Sequence, residues 1–419
     1  MSKKTITFLI FIVFLVIYYA GSFSKISFGD CIGFVVDVEK RQFLPDFMPL
    51  THFLYLNTAI FFTKYLGMDS VFVMRIMSVI PAAITVSLVF VLIKELVEEN
   101  WIAIMSIFVF GFSFTFWRSA ETVEVYTFNA LWIILFLVYA VKSLKNNSKN
   151  YIITVGIILG LSFWAHIQNI MLIPAYLVLL YLLKSDRKKA VISILSFLAV
   201  VSVMFIVNHL QGIEWKYTFA SKKGPWVQDT FSQGFMDLMK DIVKAVAFLI
   251  YNFNIFILFS VTGIIYLYKN FKRESLFLIT ASLFTLGFAT FYAVSDNYVF
   301  FIPFYLVFAV LIALGVKKWS EKYALRKLRF APALIPLFYI ISLNVVSLIP
   351  QAQDFHKEKS YKGGLTYYML PWLHNNIGCI EFTLNNGQTE DNVIALKESS
   401  LEFIKLRKKY QTIEKIRKL

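Results

Sequence analysis

Charged residues are scarce in this chain. Of its 419 residues only 16% are Asp, Glu, Lys or Arg, whereas 58% are hydrophobic and 18% are aromatic. Apolar stretches near twenty residues recur from end to end, and a soluble protein has no use for so many. The composition therefore excludes a soluble globular domain and indicates an all-α protein that crosses a membrane many times.

Acidic residues are especially few, with 26 Asp and Glu against 41 Lys and Arg, so that the formal net charge is +15. Such an excess can indicate a nucleic-acid partner. Here the positive charges follow short loops between apolar stretches, which is the pattern that sets membrane topology. We therefore predict no nucleic-acid partner and expect a basic face near anionic lipid headgroups.

The apolar stretches predict eleven transmembrane helices. The first lacks a small-residue cleavage site and is therefore interpreted as a retained helix. The segment from His52 to Leu66 is too short to span and is predicted to be an interfacial or re-entrant helix. The predicted spans are Thr5–Phe23, Arg75–Leu92, Trp101–Phe116, Val125–Val141, Tyr151–Ala165, Asn169–Leu183, Ala190–Asn208, Val243–Tyr268, Ser275–Val294, Tyr298–Val316 and Phe330–Pro350.

The distribution of Lys and Arg gives the orientation. With the amino terminus inside, the inner loops hold most of the loop cations, among them Lys142, Lys145, Lys188, Lys189, Lys269, Arg273, Lys317 and Arg326. The outer side then receives the first loop, residues 24–73, and the tail after Gln351. We predict a multi-pass plasma (inner) membrane protein with a cytoplasmic amino terminus and an extracytoplasmic carboxyl terminus.

Two units are predicted. Residues 1–350 form the transmembrane bundle, whose outer loop 24–73 includes the interfacial helix 52–66. Residues 351–419 are more polar and form a small extracytoplasmic domain, with a solvated or surface-lying amphipathic helix from about Val393. The centres of the spans hold hardly any ionisable residues and the chain has no convincing internal repeat, which disfavours a transporter.

Cysteine is also rare. Cys31 and Cys379 are the only two, and both fall on the outer side of this topology, where an oxidising compartment would let them pair. Nothing in the sequence fixes the distance between them. Pairing therefore stays open.

The first outer loop begins with carboxylates that are candidates for chemistry. Asp30 follows Phe28 and Gly29 just beyond the first span, where its carboxylate could act as a general base for a hydroxyl. The alternative is a Gly-Asp turn that merely ends a helix. Asp37 and Glu39 lie nearby and are either a second functional carboxylate or solvated loop charges.

Further polar residues fall at the outer interface. Arg75 and Arg118 are either snorkelling anchors or clamps for a phosphate, because a guanidinium offers a fork of donors. His52 and His166 could help to hold the same anionic headgroup, or they could be structural. Glu124 stands at the start of the fourth span, where the helix dipole alone would favour it.

A set of motifs resembles a known family. The motifs include the run from Phe112 to Trp117, the run from Glu124 to Leu131, Gly160-Leu161-Ser162 with His166, and Pro174-Ala175. Gly29-Asp30, the segment from Pro49 to Tyr55 leading to Arg75, Asp296 with Phe300 to Tyr305, and Tyr367-Tyr368 with Pro371 complete the set. Together they resemble bacterial GT-C-type membrane glycosyltransferases, in the branch related to protein O-mannosyltransferases.

The resemblance implies a GT-C-like bundle and an activity. That activity is transfer of a sugar, with mannose as the candidate, from a polyprenyl-phosphate donor to a protein, lipid or glycan acceptor on the extracytoplasmic face, with inversion at the anomeric carbon. Asp30 would be the general base. Arg75, Arg118 or His166 would stabilise the leaving phosphate, and Glu124 and Asp296 would contact sugar hydroxyls.

No cofactor is expected, and the outer carboxylates show no spacing specific enough to predict a metal. Two alternatives belong to other classes of protein. One is a flippase or transporter for lipid-linked sugars, which would share the hydropathy. The other is a non-catalytic scaffold of the cell envelope, which would have no need for Asp30.

Overall fold

The computed structural model describes residues 1–146, 149–183, 187–220, 226–294, 296–387 and 394–419. Within these residues the chain is helical and has no strand. The α-helices in chain order are α1 Lys3–Gly21, α2 Cys31–Glu39, α3 Phe53–Tyr65, α4 Ser70–Lys94, α5 Asn100–Gly111, α6 Phe114–Glu121, α7 Tyr126–Asn146, α8 Lys149–Ala165, α9 Ile173–Leu182, α10 Arg187–Leu210, α11 Trp226–Phe231, α12 Phe235–Phe253, α13 Ile257–Asn270, α14 Lys272–Phe291, α15 Ile302–Ser320, α16 Leu334–Val346, α17 Pro350–Glu358, α18 Gly364–Met369, α19 Cys379–Leu384, α20 Ile394–Arg407 and α21 Ile413–Arg417.

In the described part of the chain, eight helical segments are long and apolar enough to cross a membrane, and a bent pair would make nine. Every predicted span corresponds to helix. The count of eleven also requires α8 and α9, which have 17 and 10 residues and are shorter than a usual span. The many-helix membrane bundle is confirmed, whereas its number of crossings stays a prediction.

The bent pair consists of α5 and α6, whose axes differ by 66°. A break inside a membrane protein exposes main-chain groups that need new partners. The hydroxyl groups of Tyr18 and Tyr339 donate to the carbonyls of Gly111 and Phe112 at 2.9 and 3.0 Å. The amide of Thr115 donates to a buried side-chain oxygen of Asn252 at 2.8 Å. Side chains from other helices therefore stabilise this bend.

The segment predicted to be interfacial forms α3, which has 13 residues, and its position at the membrane interface stays a prediction. At 1.5 Å per residue it is about 20 Å long, too short for a hydrocarbon core of about 30 Å. Asn57 ties it to the preceding loop, because its side chain accepts from the Leu44 amide at 2.8 Å and donates to the Leu44 carbonyl at 3.1 Å.

The first outer loop and the tail share one hydrophobic cluster, separate from that of the bundle. We call α2, α3 and α19 to α21 the outer cap. The predicted carboxyl-terminal helix exists as α20, although Val393 itself lies outside the described residues. The helix is not simply solvated, since Phe403, Ile404 and Arg407 are buried against the cap. Its buried face reflects packing against α2, which the sequence periodicity did not reveal.

Candidate active site

Asp30 stands at the start of α2, at the junction between the first span and the outer cap. Gly29 precedes it with a φ of +104°, a conformation that glycine adopts without steric cost. This turn redirects the chain from α1 into α2 and leaves the Asp30 side chain exposed to a cavity. The Gly-Asp pair is thus a turn, as the structural alternative required, and its carboxylate is also accessible.

The cavity beside Asp30 has a volume of about 600 Å³, within the range of small-molecule sites. We call it the outer cavity. Its polar lining comes from four different parts of the chain and includes Asp30, His52, His166, Gln168 and Asp296. The rest of the wall is mainly apolar and aromatic and includes Leu50, Tyr126, Ile170, Met171, Phe219, Trp226, Val227, Phe288, Tyr292 and Phe300. A few polar side chains in a mainly apolar wall suit a ligand with a polar head and an apolar chain.

Glu124 lies in the connection between α6 and α7, close to Asp30. The thiol of Cys31 donates to its Oε1 at 3.8 Å. Removal from solvent raises the pKa of Glu124 well above its ordinary value, and the negative charges of Asp30 and Asp296 raise it further. The Cys31 contact and Arg118 act in the opposite direction. Glu124 therefore precedes α7 rather than lying in its first turn, and it stays protonated more readily than an ordinary carboxyl.

Asp296 closes the outer cavity on the side of α14 and α15. Burial raises the pKa of its carboxyl above the ordinary value, although its own main chain and Lys244 partly offset that rise. Asp30 and Asp296 thus both act electrostatically on Glu124, and the three carboxyls come from three separate connections. Sequence reasoning brought these three together only through a family resemblance.

His52 and His166 form a pair of rings with centroids 5.1 Å apart. Burial lowers the pKa of His52 to about 4, despite a hydrogen bond to the main chain of Ala165. Burial and the neighbouring His52 lower the pKa of His166 well below its ordinary value. Both imidazoles are therefore neutral at neutral pH. Because Nδ1 of His166 accepts from the Gln168 amide at 3.1 Å, the proton of neutral His166 resides on Nε2.

His52 has an unusual backbone. Its φ of +43° lies in the left-handed region, which residues other than glycine rarely adopt. The residue joins the 3-10 turn Pro49–Thr51 to α3 and so directs its ring towards His166. Strained backbone conformations of this kind cluster at functional sites.

The two arginines predicted together are not equivalent. Arg118 is buried, stacks over the ring of Tyr367 at 4.1 Å, and lies 3.4 Å from the Leu370 carbonyl. It lines a second cavity of about 420 Å³, whose wall includes Thr115, Phe248, Tyr251, Asn252, Tyr298, Tyr367 and Tyr368. Arg118 also lowers the pKa of Glu124. Arg118 thus acts on Glu124, whereas the cation that acts on Asp296 is Lys244.

Arg75 instead ties α4 to the end of α1. It donates to the Ser22 hydroxyl and, at 2.8 Å, to the Tyr19 carbonyl, and its guanidinium lies 4.2 Å from the centre of the Tyr19 ring. Among the described residues, Arg75 is not part of either cavity wall. This geometry is that of an anchor.

The remaining loop carboxylates point elsewhere. Asp37 lies on α2, 3.7 Å from the Lys40 ammonium, and is not among the described residues that line either cavity. Glu39 is buried in an ion pair with Arg407 at 3.0 Å. Neither shares the environment of Asp30.

Several lining residues were not singled out from the sequence. Tyr126 and Gln168 belong to motifs that were noticed, two residues after Glu124 and His166 respectively, so their positions were available as a signal. Phe219, Trp226 and Val227 lie in the long outer loop, whose sequence gives no indication that it folds over the cavity.

The two cysteines are both buried free thiols. In the described part of the chain, no group of three or more His, Cys, Asp and Glu residues is placed to hold a metal ion. Independence from metal stays a prediction.

Comparison with known proteins agrees with this architecture. Residues 49–190 match the family described as Protein O-mannosyl-transferase TMEM260 N-terminal domain, a range that includes His52, Arg118, Glu124 and His166. None of the curated proteins compared by sequence matches the chain.

The fold is similar to that of two solved membrane proteins. ArnT from Cupriavidus metallidurans, solved in the apo state and bound to undecaprenyl phosphate, has a TM-score of 0.59 at 10% identity, covering 97% of this chain and 75% of that chain. The apo oligosaccharyltransferase of Archaeoglobus fulgidus has a TM-score of 0.51 at 12% identity, covering 84% of this chain and 59% of that chain. At this identity the structural likeness shows the fold alone. The chain therefore has the fold of the GT-C-type membrane glycosyltransferases and is similar, over residues 49–190, to the N-terminal domain of a protein O-mannosyltransferase.

Proposed function

We propose that this protein transfers a sugar from a polyprenyl-phosphate donor to an acceptor hydroxyl at the extracytoplasmic membrane face, with Asp30 as general base. The observation that carries the proposal is the outer cavity. Its wall combines an accessible carboxylate and two neutral histidines with mainly apolar and aromatic side chains.

The apolar wall supports a lipid-linked donor. Ile170, Val227 and Phe288 offer no hydrogen-bonding partner to a free sugar nucleotide, whereas a polyprenyl chain that leaves the bilayer for this wall keeps its apolar surface away from water. The similarly folded ArnT has been solved with undecaprenyl phosphate. A donor of that class would reach the cavity from the bilayer.

The proposed step is a single displacement. Asp30 takes the proton of the acceptor hydroxyl while its oxygen bonds to the anomeric carbon. The bond from that carbon to the phosphate oxygen breaks on the opposite face, and the electron pair leaves with polyprenyl phosphate. The anomeric configuration therefore inverts.

The leaving phosphate gains negative charge as its bond breaks, so donors near it lower the barrier. Arg118 supplies a permanent charge from the adjacent cavity, and Nε2–H of neutral His166 supplies a hydrogen-bond donor. We assign the phosphate to these two groups, with His52 beside them, and give Arg75 only an anchoring role. This charge stabilisation needs no metal.

Glu124 and Asp296 are proposed to select the sugar. A carboxyl whose pKa is raised can donate a hydrogen bond as well as accept one, which suits a sugar hydroxyl. Mannose is the proposed sugar because the matched family is one of O-mannosyltransferases. The acceptor would be a protein, lipid or glycan on the outer side of the plasma membrane, because the predicted topology places the cavity on that side.

The test is transfer of radiolabelled mannose from polyprenyl-phosphate mannose in membranes that contain wild-type protein, Asp30→Asn or Asp37→Asn at equal amounts. Asp37→Asn is the matched control, because it removes a carboxylate from the same helix without altering the cavity wall. We expect Asp30→Asn to lower transfer by about 10²- to 10⁴-fold and Asp37→Asn to retain it.

Equal transfer by wild type and Asp30→Asn would reject Asp30 as the base. No transfer from a panel of polyprenyl-phosphate sugars would reject the enzyme and favour a flippase or a scaffold. Repeating the assay in EDTA tests metal independence, with unchanged transfer as the expected result.

A further inference from the structure

A third cavity lies at the opposite end of the bundle from the outer cavity. Ion pairs between Lys3 and Glu95 at 2.9 Å and between Lys317 and Glu99 at 2.5 Å bring the start of α1, the start of α5 and the end of α15 to this end. From here α5 runs towards the bend that leads to Arg118. The cavity, here called the inner cavity, has a volume of about 570 Å³ and is lined by Glu99, Asn100, Trp101, Ile104, Arg326, Arg329 and Phe330.

Positive charge converges on the inner cavity from two elements. Arg326 and Arg329 are exposed on the 3-10 segment Leu325–Ala333, and neither has an ion-pair partner among the described residues. Glu99, the N-cap residue of α5, also lines the cavity; its carboxylate is paired with Lys317, so the two arginines leave the lining with a net positive charge. No side-chain hydrogen bond caps the start of α5, so the first amides of that helix also face this region.

The same cavity has an apolar side. Trp101 and Ile104 lie on the first turns of α5, and Phe330 is 64% exposed beneath the guanidinium of Arg329, which stacks on its ring at 4.6 Å. Exposure of such an aromatic side chain to water would be energetically unfavourable. At a membrane surface, a ring of this kind lies at headgroup level next to acyl chains.

We propose that the inner cavity binds an anionic phospholipid of the leaflet opposite the candidate active site. Its phosphate would lie between Arg326, Arg329 and the start of α5, since a guanidinium fork fits two phosphate oxygens and an uncapped helix start offers amide donors. Its acyl chain would pack on Trp101 and Phe330. A free phosphate would leave this apolar surface uncovered, so the occupant is a lipid.

The experiment is recovery of bound lipid after extraction of purified full-length protein from bilayers of equal phosphatidylglycerol and phosphatidylcholine, with bound molecules counted by native mass spectrometry. The test variant is Arg326→Gln with Arg329→Gln. The control is Lys322→Gln with Lys327→Gln, which removes the same charge from the same region at residues that do not line the cavity. Size-exclusion profiles confirm that each sample is folded.

Wild type should retain phosphatidylglycerol in excess over phosphatidylcholine. The test variant should lower that excess about thirtyfold, since each basic residue near a membrane surface contributes about one factor of five, whereas the control should lower it less than threefold. Equal losses in both variants would show a diffuse charge effect and overturn the proposal. Absence of phosphatidylglycerol enrichment in wild type would also overturn it.

Discussion

The transmembrane bundle and the outer cap are held together by different interactions. In the bundle, α13 and α15 approach so closely that a Cβ at Gly263 or Gly315 would overlap main-chain atoms of the partner helix. In the cap, the fully buried Arg407 binds Glu39 at 3.0 Å, Asp69 at 2.6 Å and the Ser70 hydroxyl at 2.7 Å. Within lipid the hydrophobic effect does not drive helices to associate, so close packing at small residues stabilises their contact. Outside the bilayer, charge can take over that role.

The cap also holds the segment that carries Asp30. The amides of Ser24 and Lys25 donate to the Asn376 side chain at 2.8 and 3.0 Å, and the Cys379 amide donates to the Ile26 carbonyl at 3.0 Å. Residues before the candidate base, and Glu39 after it through Arg407, are therefore bonded to parts of the chain that lie more than 300 positions away.

Arg407→Leu should cause the largest loss of stability, and that loss should be confined to the cap. Removing the guanidinium leaves Glu39 buried and unpaired, which costs about 3–5 kcal/mol. The measurement is the alkylation rate of the buried Cys31 thiol in a Cys379→Ala background, which should rise because α2 loosens.

The control for this change is Arg417→Leu, which removes an exposed arginine that donates to the Asn385 side chain in the same cap. Its Cys31 should stay protected. Equal protection in Arg407→Leu would mean that the buried ion pairs do not hold α2.

Gly315→Ala should destabilise the bundle and lower its free energy of unfolding by about 3 kcal/mol. Its Cβ would overlap the Phe259 carbonyl, and a main-chain atom cannot move aside as a side chain can. Thermal unfolding followed by size-exclusion chromatography measures the loss. Gly287→Ala, at a helix position with open space, is the matched control and should be neutral or slightly stabilising. If both variants unfold alike, close packing of α13 on α15 is not what holds the bundle.

Acid should weaken the protein through His52, which lies between the two regions. Since its pKa is about 4 in the folded protein and 6.5 ordinarily, the unfolded chain binds a proton between these values that the folded chain does not. Stability therefore falls as pH drops below about 6.5, by about 2 kcal/mol at pH 5.

The comparison variant for this acid effect is His52→Asn, because asparagine tolerates a positive φ and does not titrate. Its unfolding temperature should depend less on pH between 7 and 5 than that of wild type. His209→Asn, at an exposed histidine, should behave like wild type.

Lys25→Met should give the smallest effect. Lys25 pairs with Glu381 in the cap, but both side chains remain about one third exposed. Such pairs contribute less than about 1 kcal/mol. The measurement is the unfolding temperature of both variants. A shift as large as that of Arg407→Leu would show that burial does not determine how much each of these two ion pairs stabilises the protein.

The sequence predicted the bundle well because apolar length is a direct physical requirement of crossing a membrane. It also located Asp30, since a Gly-Asp pair directly after a span must turn at the surface. It did not distinguish Arg75 from Arg118, because both stand at headgroup level and only packing shows that one holds α1 while the other lines a cavity.

The ion pairs of the cap could not be predicted from the sequence for a different reason. Glu39 was interpreted as a functional or a solvated carboxylate and Asp69 and Arg407 were not singled out, because their partnership depends on a fold that joins distant segments. The outer loop over the cavity was missed likewise, since Phe219 and Trp226 stand in no periodic pattern.

The bend between α5 and α6 determines how deep Arg118 lies. Carried straight on, the eight residues of α6 would advance about 12 Å along the axis of α5, whereas a 66° bend reduces that advance to about 5 Å. On the predicted topology, the guanidinium therefore lies closer to the level of the lipid phosphates than a straight helix would place it. The angle at which a helix bends as it leaves the membrane would then set the depth at which its charge can bind a lipid-linked phosphate.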